Sequence, residues 1–225
     1  MDFRKIIDDI INYDDGYGKD DPDEMFHPSS AGFCRRQILL NKLGLTKHSM
    51  KTKGSFLTGK IIHNFIQEKL SNCEIEKPIR LDIPDSSLYF KGKIDVFDGI
   101  VYDLKTTSDI YYNIEGPKHE HIAQVNVYMK AVGVDKAQII YIDKRNFRAV
   151  FHDIILNENL LTDIYSKIKD VYEIYMMNKE GADVLFPACP CYQCISEIED
   201  VRDRDNTPLR SEGNTKEPQR KESVP

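Results

Sequence analysis

Three ionisable side chains lie close together in the stretch Lys91-Gly92-Lys93-Ile94-Asp95-Val96-Phe97-Asp98-Gly99-Ile100-Val101-Tyr102-Asp103-Leu104-Lys105-Thr106-Thr107. Apolar and β-branched residues alternate with polar ones on both sides of Asp98-Gly99, and an Asp-Gly pair between such runs predicts a β-hairpin. Asp95 then sits on one strand, with Asp103 and Lys105 on its partner. Side chains alternate along a strand, so Asp103 and Lys105 share a face while Tyr102 and Leu104 point into the layer behind. Carboxylate oxygens are hard ligands that suit Mg²⁺ or Mn²⁺, and Mg²⁺ is commonly held by one or two carboxylates together with substrate phosphate. A lysine beside them can orient the attacking water while the metal stabilises charge on the phosphate, which is the chemistry of phosphodiester hydrolysis. The competing reading is a solvated hairpin whose Asp-x-Lys is a surface ion pair.

Parity sharpens the expectation. A strict two-residue Asp98-Gly99 turn would pair Asp95 with Tyr102 and put the two carboxylates on opposite faces. A three-residue loop, Phe97-Asp98-Gly99 with Gly99 left-handed in a bulge, restores a common face. The sequence therefore predicts a bulged turn. Pro84-Asp85 offers another acid upstream of Asp103, but it lies in a turn beside Ser86-Ser87, whereas Asp95 lies within a strand.

The elements that must carry this hairpin are legible in order. Phe3–Ile11 has helical spacing, and the acidic, glycine-containing stretch Asp14–Glu24 reads as mobile. Pro28-Ser29-Ser30 reads as a helix start, with the run Phe33–Leu43 ending at Gly44. Gly54–Leu70 is amphipathic, with Phe56, Leu57, Ile61, Ile62, Phe65, Ile66 and Leu70 as its apolar stripe and His63 and Glu68 on it. Glu74–Ile83 alternates as a strand before the hairpin. His119–Val132 is a helix closed by Gly133, Ala137–Asp143 and Phe147–Ile154 are strands, and Glu158–Asn178 is a long helix. After Asp200 the polar sequence predicts disorder. The order helix, three strands, helix, two strands, helix implies an α/β domain, with helices flanking a mixed sheet of about five strands.

A chain of 225 residues and 26.0 kDa can bury one sizeable core. No run of about 18 apolar residues suggests a membrane span, and no signal-peptide core follows Met1-Asp2-Phe3-Arg4-Lys5, so a cytoplasmic protein is expected. Five cysteines in such a chain argue for reduced or metal-bound thiols rather than a disulfide framework. The net charge of −6 gathers at the ends, leaving 22 bases against 20 acids over residues 27–196. Within that body Arg35, Arg36, Lys42, Lys47, Lys51, Lys53 and Lys60 form an acid-free basic run. It could track phosphates, or be a solvated helix face.

Asp95 followed by Asp103-Leu104-Lys105 resembles the signature of the PD-(D/E)XK nuclease superfamily. The resemblance extends to the RecB-like exonucleases within it, whose catalytic strand is followed by a helix bearing Gln-x-x-x-Tyr. Gln124 and Tyr128 match, four residues apart and so on one helix face. His63, in Gly59-Lys60-Ile61-Ile62-His63, falls where RecB-like members carry a histidine on a helix before the sheet. Pro28-Ser29-Ser30-Ala31-Gly32-Phe33-Cys34-Arg35-Arg36 and the late Cys189-Pro190-Cys191-Tyr192-Gln193-Cys194 resemble the CRISPR-associated exonucleases that tie an early cysteine to three late ones with an iron–sulfur cluster. The trio is spaced more tightly here than is usual in that family.

The resemblance covers about residues 27–196 and leaves an acidic N-terminal segment, 1–26, and a polar tail, 197–225, outside it. It implies a restriction-endonuclease-like core and a metal-dependent exonuclease acting on single-stranded DNA or DNA ends. It further implies that His63, Asp95, Asp103 and the Leu104 carbonyl bind Mg²⁺ or Mn²⁺ and that Lys105 positions the water. Gln124 and Tyr128 would hold the strand near the scissile phosphate. Cys34, Cys189, Cys191 and Cys194 would clamp a [4Fe–4S] cluster or, as the alternative, Zn²⁺. Cys73 stays outside that set. The rival function is a non-cleaving nucleic-acid-binding or adaptor protein on the same fold. Neither a pathway nor a protein partner can be read from these residues.

Overall fold

The computed structural model describes Asp2 and residues 21–46, 50–191 and 194, the side chains at 50 and 51 excepted. The expected helix at Phe3–Ile11, most of the acidic stretch behind it, the tail after Asp200, and Lys47 and His48 lie outside the described residues. The chain divides into two compact units, Met1–Pro187 and Ala188–Pro225. The first holds every strand and helix named below.

Its elements are β1 (Met25–Phe26), a 3₁₀ turn (Pro28–Ser30), α1 (Arg35–Lys42), α2 (Met50–Gln67), β2 (Glu74–Asp82), β3 (Tyr89–Phe97) and β4 (Val101–Thr107). A 3₁₀ turn (Tyr111–Asn113), α3 (His119–Val132), β5 (Lys136–Asp143), β6 (Ala149–Ile155) and α4 (Glu158–Lys179) follow. The sheet is mixed and six-stranded, in the order β1-β3-β4-β5-β6 with β2 also on β3. β1 is the strand that the sequence hid. Two residues carry no readable period, and they pair in parallel with Tyr89 and Phe90 only because the tertiary fold brings them there.

Local signals explain most boundaries. Gly133, at φ +71°, closes α3 in the left-handed conformation that glycine adopts without a Cβ penalty. Asn157 caps α4, its side-chain oxygen accepting from the Leu160 N–H at 3.1 Å. The expected helix at Phe33–Leu43 starts two residues later, because Pro28–Ser30 forms a separate 3₁₀ turn and Cys34 becomes the N-cap.

The helices cover the sheet unequally. Every residue of α3 from Ala123 to Met129 is buried, because the helix lies between two apolar layers. Val125, Tyr128 and Met129 meet Ile94, Ile139 and Tyr141 of the sheet, while Ala123 and Val127 meet Ile164 and Ile168 of α4. Truncating a fully buried side chain such as Ile168 to alanine should cost about 2–5 kcal/mol. The α2 helix packs on the sheet more thinly, through Ile62 and Ile66 against Leu104, Ile140 and Ile142. The rest of its predicted stripe is not core: Phe56, Ile61, Phe65 and Leu70 are exposed. Close approach is possible at Gly59, where an added Cβ would sit 3.0 Å from Thr106 Oγ1 of β4. Among the described residues no helix is long and apolar enough to cross a membrane.

Candidate active site

The central hairpin has a three-residue loop with Gly99 left-handed at φ +68°. Its register differs by one step from expectation. Phe97 pairs with Val101 and Val96 with Tyr102, so the loop is Asp98-Gly99-Ile100, closed by the Asp98 N–H to the Ile100 carbonyl at 3.2 Å. The two pairings just quoted are the whole β3–β4 ladder. Beyond them the strands part, and the side chain of Asp95 fills the gap, its Oδ2 accepting the Leu104 N–H at 2.7 Å. Asp95 is thereby fixed by the backbone of the strand that carries Asp103 and Lys105. Leu104, expected to offer its carbonyl, contributes this N–H and packs its side chain under α2.

Asp103 is only 1% exposed, and its Oδ1 accepts from Lys105 Nζ at 2.8 Å. Its Oδ2 is buried without a hydrogen-bond partner. On α2, His63 turns Nδ1 toward Asp95 Oδ2 at 4.0 Å. The structure thus brings His63, Asp95, Asp103 and Lys105 to one place, from a helix and two strands.

A further acid, Glu76, belongs to this place and was not singled out from the sequence. It is a non-glycine residue at φ +50°, in the left-handed region, and its position opposite Asp95 interrupts the β2–β3 ladder. Gln67, at the end of α2, bridges the interruption. Its Nε2 donates to the Asp95 carbonyl at 2.9 Å and to Glu76 Oε1 at 3.1 Å. Side chains thus replace a lost backbone pair and hold a strained residue whose conformation costs on the order of 1–3 kcal/mol. Lys93 Nζ stands 3.8 Å from the other Glu76 oxygen. A helix-terminal glutamine and an alternating-strand glutamate carry no local signal of this role.

Electrostatics follow from burial. Desolvation raises the Asp103 carboxyl to about 6, with Asp95 adding to the rise and Lys105 opposing it. Burial raises Asp95 too, against the pull of Lys105 and the Leu104 N–H, while Glu76 adds to the rise. His63 is lowered by burial first and by Lys105 second, so its imidazole is neutral at neutral pH and able to donate a lone pair. Asp95 and Asp103 share the field of Lys105, with Glu76 adding further negative charge, an arrangement that favours an added cation. Hard carboxylate oxygens, an imidazole nitrogen and the unpartnered Asp103 Oδ2 fit Mg²⁺ or Mn²⁺.

The remaining candidates lie on α3. On α3, Gln124 donates through Nε2 to the Tyr128 hydroxyl at 3.0 Å. Both are buried, and Tyr128 packs in the core beneath the sheet. The pair is therefore brought together as expected, while the ring that was to touch a strand faces inward. His121 stands with Nδ1 2.7 Å from the Tyr141 hydroxyl, which also accepts the Lys118 N–H at 3.0 Å. Burial, Lys105 and Lys118 push His121 down to about 3. Burial pushes Tyr141 up to about 12.

Three cations of the basic run are engaged within the fold. Arg35 pairs with Asp170 at 2.7 Å, and Arg36 Nη1 donates to the Phe186 carbonyl. Lys42 Nζ donates to the Pro22 and Met25 carbonyls and lies over the Phe26 ring. These cations hold the domain's edge together.

Within the second unit the ligand atoms of Cys189, Cys191 and Cys194 lie within 4.8 Å of one another, close enough to share a metal. Cys34 Sγ accepts the Gln37 N–H at 3.4 Å, at the N-terminus of α1, where helix amides stabilise a thiolate. Cys189 and Cys194 are 3.8 Å apart, sulfur to sulfur.

No protein-family model matches this sequence, and no curated protein matches it. Among solved structures the fold is shared with SSO0001, at 16% identity over 87% of this chain and 92% of that one, with a TM-score of 0.56. Looser likenesses are a phage-related exonuclease from Haemophilus somnus (13% identity, 78% of this chain and 94% of that one, TM-score 0.48) and an alkaline exonuclease from Laribacter hongkongensis (15%, 81% and 93%, 0.45).

Proposed function

We propose that the protein is a metal-dependent nuclease that hydrolyses phosphodiester bonds of DNA, with His63, Asp95 and Asp103 holding Mg²⁺ or Mn²⁺. The observation that carries this reading is the parting of β3 and β4, which aims a buried carboxylate with an unpartnered oxygen at the same space as Asp95 and a neutral histidine. A bound divalent ion supplies charge stabilisation for the phosphate and a more acidic water. Lys105, held against Asp103 Oδ1, places an ammonium where it can donate to a phosphate oxygen or orient the attacking water. Asp95, tied to the Leu104 N–H, keeps its remaining oxygen in a fixed direction, and Gln67 with Glu76 braces the strand from behind. Attack from an exonuclease's end-on position, and likeness to the CRISPR-associated exonucleases, rest on the sequence motifs.

For the cysteines we favour a structural metal. Four thiolates around a single tetrahedral ion at about 2.3 Å stand about 3.8 Å apart, and the Cys189–Cys194 spacing of 3.8 Å suits that arrangement. A cubane, which gives each thiolate its own iron, would spread them further. The deciding experiment for the enzyme is incubation of end-labelled single- and double-stranded DNA with wild-type protein and Lys105→Ala, in Mn²⁺, Mg²⁺ or neither. Cleavage that needs metal and Lys105 is expected. Its absence in every lane leaves a non-cleaving DNA binder in its place.

A further inference from the structure

The loop that leaves β4 is built more firmly than its exposure suggests. Thr107 Oγ1 accepts the Asp109 N–H at 3.1 Å and donates to the Asp109 carbonyl at 2.9 Å, and Asp109 Oδ1 accepts the Tyr111 N–H at 3.0 Å. Asn113 is 2% exposed, donates to the Asp109 carbonyl, and has its own carbonyl 2.6 Å from His152 Nε2. Ile110 is core. Yet the two residues between these anchors are among the most exposed aromatics of the described chain, Tyr111 at 67% and Tyr112 at 84%. Fixing a turn so rigidly while leaving two rings in water costs hydrophobic free energy without a packing return.

Beside this loop is a cation held in place. Thr107 pairs with Asp143 across β4 and β5, so Asp143 points to the face that Lys105 and Asp103 occupy, two and four residues along. Asp143 is fully buried and grips Arg145 with both oxygens, at 3.1 and 3.0 Å. The guanidinium itself remains exposed and lies in the field of Asp109 and Tyr111. Thr107 is about 7 Å beyond Lys105 at the rise of a strand. A pre-aimed arginine near the open ring of Tyr111, with a second open ring following it in the chain, one short step from the proposed site, is the composition of a single-strand nucleic-acid platform: cation for phosphate, aromatic faces for bases.

We infer that Tyr111, Tyr112 and Arg145 form a binding platform for single-stranded DNA, the tyrosines stacking on unpaired bases and Arg145 contacting a backbone phosphate. The inference rests on the nuclease reading for its place in the reaction and deepens it, by naming single strands as the form engaged. Paired bases are stacked on their own neighbours and offer no free face to these rings, so a duplex should be the poorer ligand.

The test is fluorescence anisotropy on the full-length protein without added Mg²⁺ or Mn²⁺, using a labelled 12-mer of dT, an abasic 12-mer of equal charge, and a 12-base-pair duplex. Wild type should bind the dT strand about tenfold or more tighter than the abasic strand. Tyr111→Ala/Tyr112→Ala should drop dT binding to the abasic level, leave abasic binding unchanged and keep the melting temperature. Arg145→Gln should weaken both strands alike and lower the salt slope by about one. Equal binding of dT and abasic strands by wild type, discrimination surviving in the double tyrosine variant, or tighter binding of the duplex would each overturn the platform. Mn²⁺-dependent hydrolysis of the abasic strand, which has phosphodiesters but no base to stack, reports the chemistry separately. No hydrolysis of it or of DNA, with dT discrimination intact, sinks the nuclease and spares the platform; hydrolysis without discrimination does the reverse.

Discussion

Asp103→Asn should make the protein more stable at neutral pH while destroying the proposed metal site. Asp103 is 1% exposed, and burial raises its carboxyl from an ordinary 3.8 to about 6. Below pH 3.8 the side chain is protonated in both folded and unfolded chains and contributes nothing. Above 6 it is ionised in both, and the folded state bears the full cost of keeping a charge out of water. A shift of about two units corresponds to about 3 kcal/mol of destabilisation at pH 7–8. Asparagine cannot ionise, keeps the volume, and its carbonyl oxygen can still accept from Lys105. Thermal melting without divalent metal should therefore rise by roughly 6–12 °C for the variant at pH 8, and the gain should shrink through pH 6 to nothing near pH 4. Added Mn²⁺ should raise the melting point of wild type but not of the variant, because only a ligand that prefers the folded state stabilises it. A variant less stable than wild type at pH 8, or a difference that ignores pH, would refute the assignment of a buried, costly carboxylate held ready for a cation.

Lys105→Ala should lower DNA cleavage by about 100-fold or more, the scale set by loss of one pre-aimed donor, with an unchanged circular dichroism spectrum; near-normal turnover would remove Lys105 from the chemistry. Gln67→Leu removes both donors that bridge Asp95 and Glu76 and should cost about 1–3 kcal/mol by denaturant titration, together with a fall in kcat that Gln67→Glu does not restore. Gly32→Ala would place a Cβ 2.2 Å from the Glu120 Cα; the backbone must shift, and about 1–3 kcal/mol should be lost. Cys34→Ser should lower the melting temperature more than Cys73→Ser, and metal analysis should find about one zinc per chain for a single-ion clamp or several irons for a cluster.

Much of the fold was legible because its signals are local. The periods of α3 and α4, the close of α3 at Gly133, and the Asp-Gly turn each depend on a few neighbouring residues, and each landed within a residue or two of its expected place. Two acids and a lysine around a hairpin could likewise be named from spacing, whereas the histidine upstream was named through the resemblance to RecB-like exonucleases. What the sequence could not state was register and partnership. A one-residue change of loop leaves the motif intact on paper but decides which side chains face each other, and the actual loop, Asp98-Gly99-Ile100, follows from how β3 packs on its other neighbours. The two-residue β1 exists only because β3 offers it an edge. The stripe on α2 divides into core and exposed parts according to the area of sheet beneath it, and Arg35, Arg36 and Lys42 of the basic run are occupied by carbonyls and acids that are distant in sequence. Gln67 and Glu76 enter the site from a helix end and a distorted strand. The backbone gap they repair arises only when β2 and β3 are laid side by side. Residue chemistry is a property of the chain, whereas burial, pairing and the resulting shift of a carboxylate to about 6 belong to the packed molecule.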